Sequence, residues 1–270
     1  MTEITGLPQD APGVLVTVHA VQGSVPREAG AWMAVFADRV AGTIGGGQLE
    51  FQAIAQARAQ LQGAAGAAGA QPDVIRYPLG PSLGQCCGGV VHLRYEGTTA
   101  AGVRALHLRA MAGQEPVALF GGGHVGRALV EVLGRLPFAV TWIDSRDEIF
   151  PDAVPANVRC EHSDPVQAAV RDLAPGTRVL IMSFSHAEDL DVVAACLQRL
   201  RERDDLPYVG LIGSNTKWAT FRRRLEQRGF RPDELARITS PIGIPGIVGK
   251  EPAVIAVAVA AQLLQQQQPH

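Results

Sequence analysis

The chain opens on Met1-Thr2-Glu3, which lacks the basic-then-apolar pattern of a secretory signal. No apolar run approaches the roughly 20 residues that a membrane-spanning helix needs. The longest, Ala253 to Ala261, is about half of that. Cysteine is scarce, 4 in 270 residues with two of them adjacent, which is not the pattern of a secreted disulfide framework. An excess of either charge is also missing: 24 Lys and Arg stand against 26 Asp and Glu, a net charge of -2, so nothing global calls for nucleic acid. These absences lead us to expect a soluble, cytoplasmic protein in a reducing compartment. With 47% hydrophobic and 19% charged residues the chain is globular rather than disordered. Its length fits one large or two modest domains with a substantial core.

Two of the four cysteines stand in Leu83-Gly84-Gln85-Cys86-Cys87-Gly88-Gly89. Adjacent cysteines are crowded for an ordinary bridge, which wants Cα atoms roughly 5.5 Å apart. A glycine-framed thiol pair reads as a nucleophile, a sulfur carrier or a soft metal ligand, and equally as two small buried hydrophobes.

Before this loop, Val14 to Val18 and Ala31 to Phe36 read as strands around Gly23-Ser24-Val25-Pro26-Arg27-Glu28-Ala29-Gly30. Arg27 there is either an anion grip or a solvated loop arginine. Gly42-Thr43-Ile44-Gly45-Gly46-Gly47-Gln48-Leu49-Glu50 runs into a helical pattern with Ile54, Ala57 and Leu61 on one face. Gly45, Gly46 and Gly47 at a helix start suit a phosphate or another anion. The Lys-Ser/Thr ending of a nucleoside-triphosphate loop is missing. Residues 63–71 form an Ala/Gly run. Val74 to Tyr77 and Val90 to Tyr95 read as strands flanking the cysteine loop.

The second half alternates strand and helix. Val117 to Phe120 leads into Gly121-Gly122-Gly123-His124-Val125-Gly126, and a helix follows with Val125, Ala128, Leu129, Val132, Leu133 and Leu136 on one face. A second strand ends in Asp144. This is G-x-G-x-x-G in its required setting, strand before, helix after and an acid about 20 residues on, and it marks a Rossmann-like fold. Gly121, Gly123, Gly126 and His124 are candidate ligand contacts. Asp144 is expected to take a ribose hydroxyl and to repel a 2′-phosphate, which makes any bound dinucleotide NAD-like. His186, Asp189 and Asp191 match no zinc spacing, and helix capping by the acids is the simpler reading. Lys217, Arg222, Arg223, Arg224 and Arg228 read as a basic helix with a solvated face. Residues 240–250 form an apolar Gly/Pro loop, and Pro252 suits the first turn of a buried last helix. The expected fold is α/β: a mixed N-terminal domain over 1–112 and a Rossmann-like parallel-sheet domain over 113–270.

Taken in order, Gly23-Ser24-Val25-Pro26-Arg27, residues 42–50, Gln85-Cys86-Cys87-Gly88-Gly89, residues 120–127, Tyr208-Val209-Gly210-Leu211-Ile212-Gly213-Ser214 and Ser240-Pro241-Ile242-Gly243 resemble the XdhC/CoxI family over roughly residues 11–264. The resemblance implies a chaperone rather than a metabolic enzyme. It would bind molybdenum cofactor (molybdopterin), protect it while a cysteine desulfurase installs a sulfido ligand, and pass it to the molybdenum subunit of apo xanthine dehydrogenase. A homodimer is compatible with this role. Cys87, and then Cys86, would be the thiolates beside molybdenum, Gly45 to Gly47 or the Gly121 to Gly126 loop would meet the pterin phosphate, and Arg27 is a further candidate contact to the cofactor. Two other readings stand beside it. One is an NAD-dependent oxidoreductase, which lacks a clear acid/base constellation. The other is a scaffold without a ligand of its own.

Overall fold

The computed structural model describes residues 6–63, 73–80 and 88–266. The Cys86-Cys87 pair lies outside the described residues. The chain divides into two compact units between Ala110 and Met111.

The first unit is an antiparallel sheet with helices. Strand β1 (Pro12–Gln22) buries Val14, Val16 and Val18 on alternate positions, the period of a strand with one face in a core. β2 (Trp32–Val35) and β3 (Val40–Gly42) follow, then α1 (Gly47–Gln62), β4 (Asp73–Pro78), β5 (Val90–Thr99) and α2 (Ala100–Ala112). The sheet order is β3-β2-β1-β5-β4. β5 alternates in the same way, and Val16 of β1 sits opposite Tyr95 of β5. α1 turns Leu49, Ala53 and Ala57 onto this core, spaced four apart, and Ile54 and Leu61 are only partly buried beside them. All three residues of the expected face thus pack against this core, and Leu49 and Ala53 widen the inward stripe. On the opposite face Ala34, Phe36 and Ala41 pack with Ala100 and Val103 of α2. β4 and β5 pair antiparallel with Pro78 opposite Val90, so residues 79–89 connect two neighbouring strands.

The second unit is a six-stranded parallel sheet, as the strand-helix alternation predicts. Its elements are β6 (Glu115–Phe120), α3 (His124–Leu133), β7 (Phe138–Asp144), β8 (Val158–His162), β9 (Arg178–Ile181), α4 (His186–Arg203), β10 (Tyr208–Leu211), α5 (Asn215–Gln227), α6 (Pro232–Leu235), β11 (Ile238–Thr239) and α7 (Pro252–Gln265). The order β11-β10-β9-β6-β7-β8 reverses direction between β6 and β9. That reversal is the switch point of a Rossmann sheet, at whose carboxyl edge ligands bind. β6 and β9 are apolar at nearly every position because helices cover both faces. α3 and α7 bring Leu129, Leu133, Ala256, Val259 and Leu263 to one face, and α4 and α5 bring Leu190, Val193, Leu197, Phe221 and Leu225 to the other. Every residue of the predicted α3 stripe packs against the first of these cores. Among the described residues no helix is long and apolar enough to cross a membrane.

Candidate functional site

Two glycine-rich places carry the sequence motifs, one in each unit. In the first unit, loops 23–27, 45–47 and 88–89 converge at the end of the sheet where β1 leaves and β5 enters. A Cβ on Gly89 would lie 2.4 Å from the Ser24 carbonyl oxygen and 2.5 Å from that of Gln22. A Cβ on Gly45 would lie 2.4 Å from Pro26 Cβ and 3.3 Å from Arg27 Cγ. Only glycine fits at either position, and Gly45, Gly46 and Gly47 all have positive φ, which disfavours a side chain in any case. The Gly89 carbonyl oxygen accepts a 2.8 Å bond from the Leu79 N–H, which ties the two ends of the connection together. Gly88, the residue covalently after Cys87, is therefore held beside the Gly23–Arg27 loop.

The Arg27 stem crosses Gly45, and its guanidinium donates to the neighbouring, exposed Glu28 at 2.9 Å. Such an exposed pair is worth well under about 1 kcal/mol and yields readily to a stronger anion.

The N–H groups of the 44–46 turn are already occupied. Glu50 Oε2 accepts from Thr43 Oγ1 at 2.6 Å, from Ile44 N at 3.1 Å and from Gly46 N at 3.0 Å, and Gly45 N donates to Thr43 Oγ1 at 3.1 Å. A carboxylate from the helix's own first turn fills the place where a phosphate was expected. The signal was available in the sequence as an acid at the start of a helix after a glycine run, a position where an anion is favoured.

In the second unit the rim follows β6. Gly121 has φ +123°, and a Cβ there would lie 2.0 Å from the Met182 carbonyl oxygen of the β9 end. Trp142 Nε1 donates to the Gly121 carbonyl at 2.9 Å, and a Cβ on Gly126 would lie 2.0 Å from that same oxygen. Gly123 differs. Its φ is -69°, nothing lies within 4 Å of an added Cβ, and no side chain caps α3, which begins at the exposed His124. The middle glycine of the motif thus faces open space.

Asp144 is 1% exposed and its carboxylate is saturated from within. Oδ1 accepts from Arg146 N and Nε, both at 2.9 Å, and Oδ2 accepts from Gly122 N at 2.6 Å and Arg146 Nη2 at 3.0 Å. Four donors fill the roughly four acceptor positions of a carboxylate. Burial works to raise its pKa, but the bonds from Arg146 and Gly122 outweigh that and hold it below the ordinary aspartate value.

The β7 and β9 loops also touch one another. Ser145 Oγ donates to Glu188 Oε1 at 2.7 Å, and the Arg146 guanidinium lies 4.2 Å from the centroid of the Phe184 ring. Glu188 Oε2 accepts from Phe184 N at 3.1 Å, and Ser185 caps α4 through Glu188 N at 3.2 Å. The sequence places residues 183–189 on this rim beside 121–126, 144 and 213–217, which includes Phe184 and Glu188, but it leaves out Arg146, since contacts across a sheet edge leave no spacing signal.

Among the described residues, no group of three His, Cys, Asp or Glu is placed to hold a metal ion. His186 stacks edge-on against Phe221, Asp189 accepts from Ser183 N at 2.7 Å and Lys217 Nζ at 2.6 Å, and Asp191 pairs with Arg228 at 2.8 Å. Lys217 is thereby turned inward instead of lying on a solvated basic face, because Asp189 is buried beneath it. Ser214 caps α5 by accepting from Lys217 N at 3.2 Å. Cys160 is half-buried, and burial pushes the Cys196 thiol up to about 12, so Cys196 is a core residue and not a nucleophile.

A sheet of order 3-2-1-4-5-6 with a glycine loop after its first strand defines the second unit as a Rossmann domain, joined to an antiparallel unit rich in glycine turns. Residues 117–263 match the family model for the XdhC Rossmann domain, and residues 7–77 match that for the XdhC and CoxI family. The chain belongs to the XdhC family. Uncharacterized protein YqeB of Escherichia coli (strain K12) is 28% identical over 266 residues, 95% of this chain and 44% of that protein. The chain thus spans less than half of this relative's length. A solved structure described as a xanthine dehydrogenase from Bacillus halodurans aligns with 98% of this chain and 94% of its own at a TM-score of 0.75 and 20% identity, a likeness of fold. A Rossmann-fold NAD(P)-binding family protein from Shigella flexneri covers 54% of this chain and 85% of its own at 16% identity, with a TM-score of 0.37, too low to bear on function.

Proposed function

We infer that this chain serves the maturation of a xanthine-dehydrogenase-type molybdenum enzyme by holding molybdenum cofactor as cargo. The observation that carries the reading is the packing of Gly89 against the Ser24 and Gln22 carbonyls, with Arg27 laid over Gly45. It draws three family motifs to the anchor of the segment that bears Cys86 and Cys87. Thiolates are soft ligands suited to a sulfur-rich molybdenum centre. Arg27, whose guanidinium among the described residues is held by the exposed Glu28, is the cation placed to meet the pterin phosphate. The 44–46 turn is a poor fit for that phosphate, because Glu50 already fills its donors with negative charge. A cysteine desulfurase and the apo-dehydrogenase's molybdenum subunit are the partners that such a role requires.

The test is molybdenum stoichiometry after reconstitution with molybdenum cofactor. The wild-type chain should retain the metal through gel filtration. A folded Cys87→Ala variant should lose most of it, and Arg27→Ala should weaken retention less. Full retention by a folded Cys86→Ala/Cys87→Ala variant contradicts the role given to the cysteines.

A further inference from the structure

Two loops of the chain touch across the carboxyl edge of the Rossmann sheet. β7 and β9 flank β6 on either side, and the loops that follow them meet across its end. Ser145 reaches Glu188, and Arg146 lies over Phe184. This contact spans the crevice at the switch point, where an open α/β sheet takes its ligand.

The Arg146 side chain does more than bridge. It gives one N–H to each oxygen of Asp144, Nε to Oδ1 and Nη2 to Oδ2. A ribose cis-diol binds an aspartate with the same two-pronged pattern, one hydroxyl on each oxygen. We propose that Arg146 is a built-in stand-in for a ribose diol, and that its fork onto Asp144, backed by its contact with Phe184, forms an autoinhibitory latch that keeps adenine nucleotides with a free ribose diol out of this crevice.

The consequence follows from acceptor counting. With the latch shut, Asp144 has no acceptor position left for a hydroxyl. When the Arg146 side chain leaves, the backbone N–H of Arg146 still holds Oδ1 and that of Gly122 still holds Oδ2. These backbone bonds hold the carboxylate in place, and one position on each oxygen becomes free. The Phe184 ring, 65% exposed at the rim, then presents a face on which a base stacks. The opened site admits a diol and repels a 2′-phosphate. This proposal is independent of the cofactor reading of the first unit.

The test is calorimetric titration of the full chain with NAD and NADP. Wild type should bind neither measurably. Arg146→Ala, checked for an unchanged circular dichroism spectrum, should bind NAD at least about ten-fold tighter than wild type and tighter than NADP. Ser145→Ala/Glu188→Gln breaks the second contact and leaves the Asp144–Arg146 fork in place, so it should gain little. Should Arg146→Ala fail to fold, Arg146→Lys removes the fork while keeping the charge and should also gain NAD binding. Binding of NAD by wild type as tightly as by the variant would overturn the proposal. So would a folded Arg146→Ala and Arg146→Lys pair that bind no NAD.

Discussion

A single carboxylate sits against each glycine loop. Glu50 in one and Asp144 in the other take up backbone N–H groups that an external anion would otherwise use. For Asp144 the energetics can be read through pH. Its pKa is held below the ordinary aspartate value, so its contribution to stability is fully present above the unfolded-state value near 3.8. The contribution is lost as pH falls through the lower folded-state pKa. Asp144→Asn should therefore cost about 1–2 kcal/mol at neutral pH, the low end for charge-assisted bonds because Arg146 is partly exposed. Thermal melts of wild type and variant from pH 7 to pH 2 should converge only below about pH 4. A gap that stays constant down to pH 2 would show that the charge of Asp144 contributes nothing.

At the scale of elements, α4 is fixed at its C-terminal half by one buried arginine. Arg199, 4% exposed, donates Nε and Nη2 to the two oxygens of Asp205 at 2.8 and 2.7 Å, Nη1 to the Val170 carbonyl at 2.7 Å and Nη2 to the Leu173 carbonyl at 2.8 Å. It ties the helix to the 166–172 turn and to the start of the chain leading to β10. Every charge is matched, so the pair is tolerated in the core, but removing one member strands the other. Arg199→Met should cost about 3–5 kcal/mol, and adding Asp205→Leu should return much of it. The midpoint of urea denaturation reads both. An Arg199→Met protein as stable as wild type would refute this account. No spacing signal marks this pairing, since Arg199 reads only as one polar residue on an otherwise amphipathic helix. The stripe on α3, by contrast, was legible in full, because helix period alone determines which residues share a face.

For the whole molecule, each unit owns its core. Val14, Val16, Leu93 and Tyr95 with α1 form one cluster in the first unit, and the two faces of the parallel sheet form separate clusters in the second. Residues 111–270 expressed alone should consequently give one cooperative thermal transition, followed by circular dichroism. A broad, non-cooperative melt would show that the second unit depends on the first. The amino-acid order determined the parallel sheet, the glycine loop after β6, the cap at Ser214 and the family motifs, because periodicity, turn chemistry and capping act over a few residues, whereas the cap of α4 is Ser185 and not one of the acids expected there. It also placed Asp144 at the end of β7. What Asp144 holds was decided only in three dimensions. Arg146 two residues on folds back onto it, and Phe184, some forty residues later, stacks on that arginine. The same is true of the convergence of loops 23–27, 45–47 and 88–89 and of the inward turn of Lys217. These depend on which strands lie side by side, and strand order is a property of the whole sheet that local sequence pattern does not encode.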